Sequence, residues 1–408
     1  MRSTTHQISA GPLQTIDLVA LGAATGSLWR SGDVELVGLG QIETLDIDLE
    51  TNTGSIQASL AALIGEDDLQ LPGTGPVGFT ALPFDRSITG QLFVPAIVIG
   101  RFEDVRFVTT MNGETLEYVE ALVEQVLDRP DPASPTEIEL HLDRSAESWR
   151  DDVVGRARAH IGNTSLRKAV FARSLTLRAN DDFPIAPIVR DLAERFDTAL
   201  LFVIDGFIGA SPELLISRRG RIVRAHPLAG TAARDRDPER DVAQVEGLLS
   251  SSKDRIEHRI TIDWLLEELL PFCSYVDAEP EPSILTLSNV HHLGTIVEGM
   301  LSEPAAPVLN LVAAVHPTPA VGGDPQADAL ALIDELEGFD RGRYGGPAGW
   351  VDAAGNGEFA VSVRTAQIDG STATIAAGVG VVAQSDPQAE LEETQAKFRA
   401  MLGTFLAL

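Results

Sequence analysis

The chain has 408 residues, 44% of them hydrophobic, enough to bury a large core as one big domain or two ordinary ones. Its 60 acidic residues against 31 basic ones give a formal net charge of −29, which disfavours attraction to nucleic acid or to an anionic membrane. An anionic small molecule is compatible with that total, because the field in a pocket is set by the few charges that line it.

The single cysteine, Cys273, lies in Leu-Pro-Phe-Cys-Ser-Tyr and reads as core, which rules out an intramolecular disulfide and a cysteine-based metal cluster. The polar start Met-Arg-Ser-Thr-Thr-His-Gln is followed by no signal-peptide apolar region, and no apolar run approaches the roughly 20 residues that span a bilayer. The expectation is a soluble, cytoplasmic protein that binds neither nucleic acid nor membrane.

In chain order, strand-like stretches occupy 91–100 and 102–110, and a helical stretch runs over 116–127. The segment 128–136, Asp-Arg-Pro-Asp-Pro-Ala-Ser-Pro-Thr, carries three prolines and disfavours both helix and central strand. It separates an N-terminal part, 1–135, from 136–408, and the two are expected to build one integrated domain. Beyond it, 146–161 reads as an amphipathic helix and 168–177 as a strand with apolar Val170, Phe171 and Ala172. Strands at 200–204 and 214–217 flank a turn, and Asp237-Pro238 opens a helical region that runs, with a break, to about residue 270. Near the end, 360–367 and 372–382 read as paired strands around the hairpin dipeptide Asp369-Gly370. Asp386-Pro387 starts the last helix, with an N-cap acid and a proline at the first helical position. Helices and hairpin-linked strands together make the class α+β.

Several side-chain patterns have chemical potential. On the last helix Glu390 and Glu393 are three apart and Lys397 is four beyond Glu393, so one face carries all three. Carboxylates there suit a hard cation such as Mg2+, which takes one or two protein carboxylates plus waters and substrate oxygens; an exposed salt-bridged face is the plainer reading. Lys253 and Glu257 repeat the spacing beside an apolar stripe of Ile256, Ile260 and Trp264, where an unpaired carboxylate is costly. A cation or a surface lysine would each relieve that cost. In Ile208-Gly-Ala-Ser-Pro-Glu213, Pro212 fixes φ just before the acid, a setting for a proton donor or simply for a turn former. Lys168 is a candidate base if its ammonium is desolvated, and Arg167 beside it must then face the opposite way. Gly378-Val-Gly380 is followed by more strand and not by a helix, so it is no dinucleotide fingerprint; glycines in a strand fit close ligand approach. The adjacent His291 and His292 point in different directions, and neither supports a zinc site.

Taken together, these segments occur in a recognisable order: Lys168-Ala-Val-Phe-Ala-Arg173, Gly209-Ala-Ser-Pro-Glu-Leu-Leu215, Pro227-Leu-Ala-Gly-Thr231, Lys253-Asp-Arg-Ile-Glu-His258 and His292-Leu-Gly-Thr295. They continue through Tyr344-Gly-Gly-Pro-Ala-Gly349, Arg364, Gly378-Val-Gly-Val-Val382, Ser385-Asp-Pro387 and Glu390-x-x-Glu-Thr394. Over about 145–408 the chain resembles the chorismate-utilising family, which includes isochorismate, salicylate, anthranilate and aminodeoxychorismate synthases. The resemblance implies two large, mainly antiparallel sheets packed face to face, with helices outside and a cleft between them. It implies chorismate as substrate and Mg2+ held by Glu257 and Glu393, with Glu390 in support. Arg364, Tyr344 and the backbone of Gly378 and Gly380 would hold the enolpyruvyl carboxylate near Lys397, while Gly230, Thr231 and His292 would line the ring pocket. Lys168 takes the family position of the base that activates water at ring C2, and Glu213 that of the acid that protonates the departing C4 hydroxyl.

Within the family, Ala320 of Val315-His-Pro-Thr-Pro-Ala-Val-Gly-Gly323 stands where pyruvate-eliminating relatives often carry threonine. Ala229 stands where aminodeoxychorismate synthases have a nucleophilic lysine. Both point to the isochorismate-forming branch, which Gly78-Phe-Thr-Ala-Leu-Pro-Phe-Asp85 also resembles. Phe171 departs from the pattern, where an aliphatic residue is common. A salicylate synthase and a catalytically idle chorismate-binding subunit are the alternatives. No amidotransferase subunit is expected, and a monomer is. Nothing in these residues decides whether the product feeds a siderophore, menaquinone or another end product.

Overall fold

The computed structural model describes residues 2–287 and 290–408, and the side chain of Lys253 lies outside the described residues. The expected Lys253 and Glu257 spacing therefore has one described member. Among the described residues the strands form one sheet of 13, one of nine and one of three. Pairing is antiparallel throughout, except where the first strand Thr4–Ile8 meets Glu66–Asp67. This is an α+β architecture with peripheral helices, as the sequence implies.

The two large sheets face each other across an aromatic layer. Trp29, Phe202 and Phe207 from the larger sheet pack with Phe79 and Trp350 from the smaller, all buried. Trp29 and Phe202 stack with centroids 6.2 Å apart, and the Trp29 indole donates to the buried Glu358 carboxylate at 3.0 Å. Burying rings of this size from both faces is what holds twisted sheets together, since no backbone hydrogen bonds cross between layers. Helices cover the outer faces. Leu116–Leu127 buries Val119, Val123 and Val126 at helical spacing, and Thr115 caps it by accepting from the Tyr118 amide. The last helix, Pro387–Phe405, buries Leu391, Phe398, Met401 and Phe405, with Asp386 as its N-cap.

Three apolar runs change sheet in mid-run, and each differs from the sequence expectation for the same reason. The run 91–100 is two strands, Gly90–Val94 in the nine-stranded sheet and Ile97–Phe102 in the larger, with Pro95 between them. Expected as part of a turn, 207–211 is itself a strand, Phe207–Ser211, and Pro212 and Glu213 carry the chain from the larger sheet into Leu214–Arg219 of the smaller. The stretch 360–367 likewise splits into Gly357–Val361 and Thr365–Asp369, and only the latter pairs with Thr372–Val381. Buried residues stand on each side of every change, Val94 and Ile97, Ser211 and Leu215, Val361 and Thr365, so the residue pattern does not mark where the partner sheet switches. The helix at 146–161 also differs, in that its middle, Trp149–Gly155, is a π-helix. The helical region after Asp237 divides at Ser251 into Pro238–Ser250 and Ser252–Leu269.

N-terminal and later segments share sheets. The strand Ser27–Arg30 pairs with Leu200–Ile204, and Val77–Ala81 pairs with Pro347–Asp352.

Candidate active site

Two crossovers lie side by side and set the floor of a cavity. The strand Phe207–Ser211 pairs with Thr365–Asp369 in one sheet, and Leu214–Arg219 pairs with Gly357–Val361 in the other. The paired chains therefore leave one sheet and enter the other together, with Glu213 on one crossover and Arg364 on its neighbour. Ser211 locks them: its hydroxyl donates to the Val361 carbonyl at 2.6 Å and accepts from the Glu213 amide at 3.2 Å. The Glu213 carbonyl in turn accepts from the Val361 amide at 3.1 Å.

A second wall comes from the central antiparallel pair, in which Val170 lies opposite Gly380 and Ala172 opposite Gly378. Alternation along Lys168–Ala179 turns Lys168 inward, where it is 1% exposed, and leaves Arg167 outside beside Asp324. The Lys168 ammonium lies 2.8 Å from Glu257 Oε1, which the helix Ser252–Leu269 supplies. A Cβ on Gly380 would stand 2.7 Å from both Glu257 Oε1 and Lys168 Cε, so glycine at this strand position leaves room for the two side chains to meet as they do. The last helix contributes Glu393 and Lys397, 2.8 Å apart one turn from each other, and Lys397 also donates to the Gly378 carbonyl at 2.8 Å.

The third wall is the small sheet. Gly230, at φ 83°, is a position only glycine adopts readily, and it turns the chain into Thr231. The Thr231 hydroxyl lies 3.0 Å from His292 Nδ1, and the Arg364 guanidinium lies 3.2 Å from His292 Nε2. Because a guanidinium only donates, His292 Nε2 must accept and the imidazole proton sits on Nδ1. Burial, with Arg364 and Lys397 nearby, holds this imidazole neutral, well below the usual histidine range. His291 turns away to Thr286 and Asp241, at 2.9 and 3.0 Å.

One cavity is lined by Lys168, Glu213, Gly230, Thr231, Glu257, His292, Ala320, Tyr344, Arg364, Gly378, Gly380, Glu393 and Lys397. Of the residues singled out from sequence, Glu390 alone does not line it; it is buried, 4% exposed, one turn before Glu393. Arg341 lines the cavity too, and the sequence pattern does not single it out. Its signal is an i,i+4 acid–arginine spacing from Glu337, which reads the same on an exposed surface.

The electrostatics of the cavity are uneven. Arg364 is held down to about 10 by burial, and its Nη1 is buried with no hydrogen-bond partner. A guanidinium desolvated in this way favours a carboxylate partner. Burial pushes the Glu213 carboxyl up to about 7, against the pull of the Leu228 backbone and of Lys168 and Lys397, and its Oε1 is also buried without a partner. A carboxyl neutral near pH 7 can give a proton. Among the described residues no group of three or more His, Cys, Asp or Glu side chains is gathered to hold a metal. Two carboxylates, Glu257 and Glu393, do share the cavity, a hard-oxygen donor set that fits a Mg2+ ion completing its shell with waters and substrate oxygens.

Comparison with known proteins places this geometry. Residues 2–406 match the family model described as chorismate binding enzyme. The chain is 35% identical to isochorismate synthase DhbC of Bacillus subtilis, over 80% of this chain and 80% of that protein. It is 34% identical to isochorismate synthase MenF of the same organism, over 83% of this chain and 76% of that protein. The crystal structure assigned to 2,3-dihydroxybenzoate-specific isochorismate synthase, DhbC, from Bacillus anthracis superposes with a TM-score of 0.80 at 30% identity, covering 96% of this chain and 98% of that one.

Proposed function

The chain belongs to the chorismate-utilising, anthranilate synthase component I-like family, and on that premise we propose that it is an isochorismate synthase, an isomerase that converts chorismate to isochorismate with Mg2+. The observation that carries this reading is the cavity itself, in which a buried lysine and a buried glutamic acid raised to about 7 share one space with two carboxylates and a guanidinium whose Nη1 has no partner.

Chorismate carries two carboxylates. Arg364, with its buried Nη1, together with Tyr344 and the backbone at Gly378 and Gly380, receives the enolpyruvyl carboxylate, and Lys397 adds positive charge at that end. Glu257 and Glu393 would hold Mg2+, which neutralises the ring carboxylate and fixes its orientation. Gly230, Thr231 and His292 border the ring, and the neutral His292 adds no competing charge there.

Water is a poor nucleophile and hydroxide a poor leaving group, so one proton must be removed and one supplied. Lys168, acting as the free amine after its ammonium has given up a proton, takes the proton of the water that bonds to ring C2, and Glu213 gives its proton to the C4 oxygen as that bond breaks. The ring π-electrons shift between the two carbons, one hydroxyl is gained and one lost, and substrate and product are isomers. Deep burial of both groups keeps bulk water from exchanging either proton during the step.

The 1–135 and 136–408 segments act as one integrated domain in this reading, and the protein works in the cytoplasm as a monomer without an amidotransferase subunit. Incubation with chorismate, with and without Mg2+, and chromatographic separation of the products tests the assignment. Isochorismate is expected only with the metal. Absence of isochorismate at saturating substrate defeats it, and pyruvate released in step with turnover would point to a salicylate synthase instead.

A further inference from the structure

The strand that carries Lys168 has a gap in its pairing. On the edge facing away from Thr372–Val381, Gly323–Asp324 pairs only with Lys168 and Ala169, and Ile138–Leu142 begins only at Leu175. Of the intervening backbone, the Val170 amide donates to the Gly322 carbonyl at 2.9 Å, the Ala172 carbonyl accepts from the Trp149 indole at 3.0 Å, and a buried ion pair takes two further groups. Arg341 donates to the Val170 carbonyl at 2.6 Å, and Glu337 accepts from the Ala172 amide at 2.8 Å. Arg341 and Glu337 are joined by two bonds of 2.6 Å, and both are under 10% exposed. The same guanidinium donates to the Val321 carbonyl at 2.8 Å and lies 4.2 Å over the Phe84 ring. Each of its nitrogens is thus committed to protein acceptors and one face to an aromatic ring, which leaves it poorly suited to grip a substrate although it lines the cavity.

Resting on the reading of Lys168 as the base, we propose that Arg341, oriented by Glu337, is a positioning residue: it stands in for a missing strand and sets Lys168 at a fixed distance from the wall formed by Ala320 and Val321. A guanidinium is suited to this because its planar fork reaches two backbone carbonyls and a carboxylate at once, which an ammonium does not.

The far side of Arg341 lines a second cavity of about 950 Å³ with Phe84, Ile88, Leu330 and Phe339, so a small guanidinium has a path to its place. In Arg341→Ala, kcat should fall about 100-fold, the scale expected for a displacement near 1 Å, with KM for chorismate within about threefold. Guanidinium ion at millimolar concentration should restore about tenfold of the lost kcat, and methylammonium should not. Independently of turnover, labelling of Lys168 by an amine-reactive ester, read by mass spectrometry, should rise in Arg341→Ala and fall back with guanidinium. Unchanged kcat and unchanged labelling in a folded variant would overturn the proposal, as would equal rescue by both cations. If Arg341→Ala does not fold, Glu337→Gln serves, and wild-type kcat in that variant would also overturn it. A wild-type enzyme that leaves chorismate unconverted defeats the functional reading, while the labelling result still decides the positioning role.

Discussion

Glu213 and Lys168 sit in one cavity, but their charges are treated differently by their surroundings. Lys168 is compensated by Glu257 at 2.8 Å, whereas Glu213 has a buried oxygen without a partner and is held neutral up to about pH 7. Lys168→Ala and Glu213→Gln should each lower kcat by about two to four decades if they are base and acid. Substrate affinity should change far less, because Arg364 and Tyr344 remain. The raised carboxyl also sets a pH limb. Glu213 must be protonated to act, so kcat/KM should decline as pH rises through about 7, and a profile flat from pH 6 to 8.5 would count against it as the acid. The linkage to stability has the same sign. The unfolded chain ionises at the ordinary glutamate value and the native chain only near 7, so this group's contribution is complete at acid pH and is lost as pH rises through about 7. Glu213→Gln should remove that loss in thermal melts. At this scale the sequence was informative because the residues that share the cavity lie in separate short motifs. Arg341 was hidden because its only mark is a spacing that surface ion pairs share.

Between residues and whole sheets, the paired crossovers at 211–214 and 361–365 matter most. Ser211 bridges the two, and its hydroxyl is fully buried. Ser211→Ala leaves the Val361 carbonyl without its side-chain donor and the Glu213 amide without its acceptor, which should lower stability by about 1–3 kcal/mol. Because Glu213 rides on the freed crossover, kcat should also fall, by about tenfold. Melting temperature and kcat measured on the same preparation check this, and loss of stability with wild-type kcat would separate the crossover from the chemistry. The helices were legible at this level: 116–127 has its apolar residues at helical spacing, and Asp386-Pro387 marks the last helix unambiguously. The crossovers were not. Val94 to Ile97, Phe207 to Leu215 and Ala360 to Thr365 are buried on both sides of the change, so periodicity continues while the hydrogen-bonding partners switch. Partner choice there is a long-range matter, fixed by which sheet each half completes.

Across the whole molecule, a net −29 surrounds one cavity in which four cationic side chains, Lys168, Arg341, Arg364 and Lys397, meet the carboxyl groups of Glu213, Glu257 and Glu393. Titratable groups buried neutral govern how stability responds to pH. His226, His258, His292 and His316 are all pulled below the ordinary histidine value by burial, His258 and His316 to about 4. Their folded values lie below the unfolded one near 6.5, so their contribution is present above that pH and is lost as pH falls through the window from 6.5 towards 4. Two buried carboxyls act in the opposite direction: Glu213 is raised to about 7 and Asp352 to about 6. At pH 5.5 unfolding brings nearly one proton onto each of His258 and His316, adds proton uptake at His292 and His226, and releases most of one proton from each of two carboxyls, so the balance is net uptake. The histidines win, so melting temperature in metal-free buffer should fall as pH drops from 7 to 5.5. Calorimetry in buffers of different ionisation enthalpy measures the uptake directly, and net release of protons at pH 5.5 would contradict the neutral, buried state assigned to these histidines. Imidazole carbon shifts of the native protein supply the matching test, since the His258 and His316 rings should still be neutral at that pH.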